Sequence, residues 1–166
     1  MDEIFKRRSI RKFKGEEVQK EDVDKMVYAG LCAPTARGGR PWHFVVIDER
    51  EKLNRIPEVH PYAEMAKSAP LAIVVCGDRD LQPNEGYMAQ DLSASTQNIL
   101  LMATKLGLGS VWCGIYPREP RISAFGDFLS LPENILPFSL VIIGKPDEIP
   151  DDIDRFDPER IHRDGW

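Results

Sequence analysis

The stretch LGLGSVWCGIYP, Leu106 to Pro117, holds a choice between two architectures. Its glycines invite a dinucleotide-binding reading, in which a strand runs into a glycine turn and then a helix. The flanking residues give the opposite order. Upstream, Asn84 to Leu106 spells the longest helix of the chain, with apolar positions at Tyr87, Leu92, Ile99, Leu100, Ala103 and Leu106. Downstream, Ser110 to Tyr116 reads as a strand. Glycines that follow a helix and precede a strand are a helix stop, not a phosphate turn. The same helix carries Ala89, Ser93, Ala94, Ser95 and Thr96, small residues that let another backbone approach closely. It therefore belongs in the middle of the molecule or at a subunit contact.

Working outward, Leu71 to Gly77 is nearly all apolar, the pattern of a strand buried on both faces. HFVVID, from His43, and Phe138 to Gly144 are further strands. Helices are expected over Asp2 to Arg8, Lys20 to Leu31 and Arg118 to Ser130. In the second of these, Val23, Met26, Val27 and Leu31 fall on one face. Two shorter helices, REKLNRI and YAEMAKSA, are separated by Pro57 and Pro61. Helices and strands alternate without a regular βαβ order. The fold class is therefore α+β, a sandwich with a four- to five-stranded sheet flanked by helices. No linker divides the chain, so residues 1–166 are expected to form a single domain with 147–166 as an extended tail. That tail is acidic and proline-rich, yet Ile153, Phe156, Ile161 and Trp166 are spaced apolar anchors. A tail with anchors and no core of its own packs on something else, such as a second subunit.

A formal charge of −5 and a pI near 5.3 argue against a general nucleic-acid binder, which needs a broad basic surface. Against that background, six of the nine side chains in KRRSIRKFK, Lys6 to Lys14, are cationic. Such a concentration reads either as a solvated basic face or as a local anion site. No apolar run approaches the roughly 20 residues of a membrane helix. The charged start MDEIFKRR lacks the apolar segment of an export signal, which predicts a cytoplasmic protein. Cys32, Cys76 and Cys113 are odd in number and have no CxxC spacing, and His43, His60 and His162 have no ligand spacing. Neither a disulfide framework nor a metal site is indicated.

Three segments, RRSIRKF, APTARGGRPWHFVVI and LGLGSVWCGIYP, are similar in order and spacing to those of the nitroreductase family of flavin enzymes. GKP at Gly144 to Pro146 and RFDPERIH near the end extend the resemblance from Ile4 to Trp166. The resemblance implies an α+β homodimer with tightly bound FMN at the subunit interface and the tail packed on the partner. It also implies reduction of FMN by NAD(P)H, followed by reduction of a small acceptor such as a nitroaromatic or a quinone.

By the same resemblance, Arg7, Ser9 and Arg11 would grip the FMN phosphate and ribityl chain, with Arg8 near the pyrimidine edge of the ring. The chemistry suits the task, since guanidinium forks pair bidentately with phosphate oxygens and a hydroxyl adds a short hydrogen bond. Lys6, Lys12 and Lys14 are left to solvent. Pro34, Thr35 and Ala36 resemble the family loop that runs beside the flavin and crosses towards the partner's site. Gly38 and Arg40 stand where family members often carry Asn and Gln, so two amides are missing and Arg40 either brings charge near the flavin or lies on the surface. Trp42 opens a strand and belongs to the core rather than to a stacking platform. Trp112, Cys113 and Gly114 match the segment lying against the ring, where a backbone N–H, here at Gly114, faces flavin N5. Arg155 resembles a basic residue that closes over the phosphate, with Lys145 a second candidate. No side chain has to act as acid, base or nucleophile, because the cofactor carries the hydride chemistry. Other readings stay open: a flavin enzyme with a different electron donor, a non-enzymatic FMN-storage protein, or a nucleic-acid binder using the basic stretch.

Overall fold

The computed structural model describes residues 3–166 and contains a mixed layer structure built on one antiparallel sheet. Strand β3 (Leu71–Asp78) lies between β2 (Trp42–Ile47) and the long β5 (Ile135–Pro146). On its other side β5 pairs with β4 (Gly109–Gly114) and with the two-residue β1 (Phe13–Lys14), making five strands. Helices α2 (Lys20–Leu31) and α4 (Glu85–Lys105) supply the core on one face through Met26, Met88, Leu92 and Ile99. Helices α3 (Arg50–Val59) and α5 (Glu119–Leu129) cover the other through Leu53, Ile56 and Phe125. Helix α1 (Glu3–Lys6) is one turn; its expected start at Asp2 lies outside the described residues.

Alternation along β3 explains its composition. Ala72, Val74 and Cys76 enter one core while Leu71, Ile73 and Val75 enter the other, so every position is apolar. β5 begins at Ile135, before the expected Phe138, and contains Pro137. The ladder slips between Val75 and Cys76, opposite that proline, so a residue with no N–H to give falls at a β-bulge. The bulge also ends β4: the Phe138 carbonyl accepts from both Ile115 N–H (3.2 Å) and Tyr116 N–H (3.0 Å).

The glycines of LGLGS have two separate tasks. Gly107 takes φ +74 and closes α4 as a Schellman cap, with Leu108 N–H donating to the Ala103 carbonyl at 2.9 Å. Gly109 instead makes room for the N-terminal segment, since a Cβ there would stand 2.8 Å from Ile10 Cβ. Ile10 is buried and cannot swing away. Gly109→Ala is therefore expected to cost about 1–3 kcal/mol in urea denaturation, and to displace the segment carrying Arg7 to Arg11.

Two exposed positions differ from the helical periodicity. Leu31 and Tyr87, expected on buried faces, are 46% and 40% exposed. The tail contains only a short 3-10 turn, Pro158–Arg160, and its anchors find no core within the chain, Phe156 being 74% and Ile153 55% exposed.

Candidate functional site

β4 is bonded to β5 along one side only. On the other side, among the described residues, a single bridge from Ser9 to Ser110 touches it. The register decides which groups face this outer edge. Ile115 donates to the Phe138 carbonyl, so Gly114 and Ser139 form a pair that exchanges no bonds of its own. The N–H and C=O of Gly114 therefore point off the sheet. The parity is the same at the other end, where the Ser110 carbonyl accepts from Ile10 N–H at 3.0 Å. Trp112, between them, also turns its backbone groups outward. A strip of outward-facing backbone that no neighbouring strand pairs beyond Ser110 thus runs to Gly114, about 13 Å at the rise of a strand.

Positive charge gathers at the Ser110 end. Arg7 is half-buried, and its pKa is lowered by burial, then by the nearby Arg155 and Arg8 cations. Arg8 is neutralised: its guanidinium donates to the carbonyls of Phe5 (2.6 Å) and Arg7 (3.1 Å) and lies 3.6 Å from the Asp152 carboxylate. Among the described residues no carboxylate stands within ion-pair distance of Arg7 or Arg155. Three guanidinium groups with one carboxylate among them at ion-pair distance leave net positive charge around Arg7 and Arg155, next in sequence to the Ser9 hydroxyl. That arrangement fits a phosphate, whose charge approaches −2 near neutral pH. The backbone N–H groups of Arg11 and Lys12 are held by the Glu148 carboxylate, which fixes how the segment leaves the site. Lys145 is drawn to Glu16 at 2.8 Å.

At the Gly114 end the Gly114 carbonyl accepts two bonds, from Arg121 Nη1 at 2.8 Å and His60 Nε2 at 3.1 Å. These donors stand in for the missing neighbour strand and hold a glycine that would otherwise move freely at an open edge. Space above it is clear, because a Cβ on Gly114 would meet only the Tyr116 carbonyl at 3.9 Å. Trp112 packs into the α2/α4 core beside Phe138, and Cys113 is buried in the α3/α5 core. Burial pushes the Cys113 thiol up to about 11 despite the opposing pull of Arg11 and Arg121. Cys76, pushed up to about 12, is equally inert. What residues 112–114 can offer a ligand at this edge is backbone, together with the open space over Gly114.

His60 must donate from Nε2, which leaves Nδ1 buried without a partner. Its pKa is lowered, chiefly by burial and further by Arg121, against the raising effect of the Gly114 bond. A folded-state pKa below the unfolded one means the unfolded chain binds more protons as pH falls, so stability is lost below about pH 6.5. The thermal midpoint of His60→Gln should consequently fall less than that of the wild type between pH 7 and pH 5, as read by calorimetry.

Pro34, Thr35 and Ala36 lie elsewhere. Ala36 N–H donates to Asp91 Oδ1 on α4 at 2.8 Å, and the loop leads into β2. β2 and β4 occupy opposite edges of the strand order β4-β5-β3-β2, about 14 Å apart across three strand spacings. Arg37, Gly38 and Arg40 all take positive φ (54, 69 and 48), and the Arg40 side chain is exposed. Trp42 is buried, as a core residue should be. Asp91 and Arg121 carried no sequence signal, each being a single polar residue on an amphipathic helix. Among the described residues no metal-binding cluster of His, Cys, Asp or Glu exists, and no helix is long and apolar enough to cross a membrane.

A model of the nitroreductase family matches residues 4–59 and 57–145. The chain belongs to the nitroreductase family. A protein of Methanothermobacter thermautotrophicus, provisionally named an NADH dehydrogenase/NAD(P)H nitroreductase, is 49% identical over 166 residues, covering 100% of this chain and 87% of that protein. An FMN-dependent nitroreductase of Clostridium difficile superimposes with a TM-score of 0.92 at 32% identity, over 100% of both chains. A Desulfovibrio desulfuricans protein, provisionally named a nitroreductase and solved in complex with FMN, gives a TM-score of 0.85 at 28% identity, covering 99% of this chain and 96% of the other. The nitroreductase α+β fold is thereby shared over the full length of the sheet and its helices.

Proposed function

We propose that this nitroreductase-family chain is an FMN-dependent NAD(P)H oxidoreductase acting on a small acceptor of the nitroaromatic or quinone class, as a homodimer of single-domain subunits of residues 1–166. One observation carries the reading: the outer edge of β4 joins an uncompensated Arg7–Arg155 pocket to an open backbone N–H at Gly114. FMN has the matching shape, a dianionic phosphate at one end and a flat ring needing hydrogen-bond donors at the other. The relatives named for FMN and for NAD(P)H support the same assignment.

Each residue then has a task. Arg7, Arg155 and Ser9 hold the phosphate, and Arg11 lies further along the same segment beside the ribityl chain. Arg8, fixed by Asp152, ties the tail to the N-terminal segment at the mouth of the site. The Gly114 N–H, steadied through its carbonyl by His60 and Arg121, is the donor at the ring. Bound FMN supplies hydride transfer at N5, so the protein contributes orientation and electrostatics. Both buried thiols stay protonated and His60 stays neutral near pH 7, which keeps them out of the chemistry.

Two observations support the homodimer. The exposed tail anchors and the apolar groove of Ile4, Tyr28, Ala29, Leu101 and Met102 need cover. The Pro34–Ala36 loop, at the wrong edge for its own β4, is placed to serve a neighbour's. Reconstitution of the apoprotein with FMN, followed by sedimentation, tests the reading. One FMN per chain in a dimer is the expected result, and a protein that takes up no flavin refutes it.

A further inference from the structure

A phosphate at the Ser110 end of the β4 edge does not account for all of the unpaired positive charge along that edge. Arg121, in the first turn of α5, stands at the opposite end and donates one N–H to Gly114. A guanidinium carries five N–H donors, and among the described residues no carboxylate lies within ion-pair distance of this one. The Arg121 Cζ sits 5.4 Å from the Tyr62 ring centroid, and Tyr62 meets His60 edge-on at 6.4 Å. His60 is buried, so it anchors the group, whereas Tyr62 is 72% exposed. The result is a preorganised pair, an exposed aromatic ring beside a cation with spare donors, next to the Gly114 N–H. Gly114 lies about 13 Å along the strand from Ser110, so a cofactor phosphate held by Arg7 and Arg155 at the Ser110 end leaves the Arg121 donors to a second anion.

We propose that Arg121 and Tyr62 form an acceptor-selecting subsite that favours planar aromatic acceptors bearing a carboxylate. The proposal rests on the FMN reading, because only with the ring at Gly114 does this pair border the reacting centre. Arg121 meets the carboxylate with its free N–H groups, Tyr62 flanks the aromatic ring, and the Gly114 bond keeps the guanidinium from swinging into solvent. Recognition of this kind weakens with salt, since the pair is only partly shielded from water.

The test measures equilibrium binding, by calorimetry, of 4-nitrobenzoate and of the neutral 4-nitrobenzyl alcohol to the FMN-loaded protein. The wild type is expected to bind the carboxylate about tenfold more tightly than the alcohol, with the ratio shrinking as salt rises. In Arg121→Gln the ratio should fall to about one, and Tyr62→Ala should weaken both probes. Equal affinities in the wild type, or failure of both probes to bind, overturn the proposal. A preference that survives in Arg121→Gln overturns it too, placing the anion elsewhere. Loss of FMN from Arg121→Gln would assign that residue to the cofactor instead. A wild type that takes up no FMN fails the underlying reading, and the proposal with it, before either probe is added.

Discussion

Arg7→Ala is expected to raise the dissociation constant for FMN by about 100-fold, the loss of a part-buried, charge-assisted contact worth about 1.5–3 kcal/mol. Arg7 is half-buried and faces Arg155 and Arg8 without an ion-pair partner among the described residues, so the folded chain bears a repulsion that only an anion relieves. Two consequences separate this from a general loss of stability. The apoprotein of the variant should be no less stable than the wild-type apoprotein, because a repulsive charge has been removed. Binding of riboflavin, which lacks the phosphate, should be unaffected by the substitution. Fluorescence titration of the apoproteins with FMN and with riboflavin measures both. A variant that binds FMN as the wild type does would remove the phosphate from this pocket.

Gly114→Val separates site from fold in the opposite direction. The position has an ordinary backbone φ, sits at the end of a strand, and offers open space to a side chain. A β-branched residue is therefore compatible with the folded chain, and the thermal midpoint of the apoprotein should stay within about 2 °C of the wild type, equivalent to under about 0.5 kcal/mol. The same side chain would project where the proposed function puts the cofactor ring. FMN affinity is expected to fall by at least about tenfold, the cost of roughly 1.4 kcal/mol or more of steric conflict. Should the variant lose stability but keep its flavin, the ring does not lie over Gly114.

The reading of the sequence reached furthest where one element carries its own signal. β3, with both faces buried, could only be an apolar run, and α4 declared itself through length and a glycine stop. β1 has no signal in the sequence, because two residues, Phe13 and Lys14, hold no periodicity and become a strand only by pairing with Pro146 and Lys145. β5 starts earlier than expected because Pro137 argues against a strand until the bulge opposite Val75 and Cys76 is known. Leu31 and Tyr87 sit on apolar stripes, but periodicity does not say what covers a stripe.

The candidate site divides in the same way. The arginine-rich segment was legible as a concentration of charge in an acidic chain. That Arg8 is neutralised by Asp152, far along the chain, while Arg7 is not, depends on where the tail runs. His60 and Arg121 meet at one carbonyl only because α3 and α5 pack on the same face of the sheet. Pro34 to Ala36 and the arginine segment resembled one family site, yet they sit at opposite sheet edges, an arrangement that strand order alone reveals.

The most direct measurement is an anaerobic absorbance titration of the FMN-reconstituted protein with NADH and then with NADPH. Stoichiometric bleaching of the visible flavin band by at least one nucleotide, restored when a nitroaromatic or quinone is added, is the predicted result. Bound flavin that neither nucleotide bleaches would contradict an NAD(P)H oxidoreductase and leave a carrier of FMN or an enzyme with another electron donor.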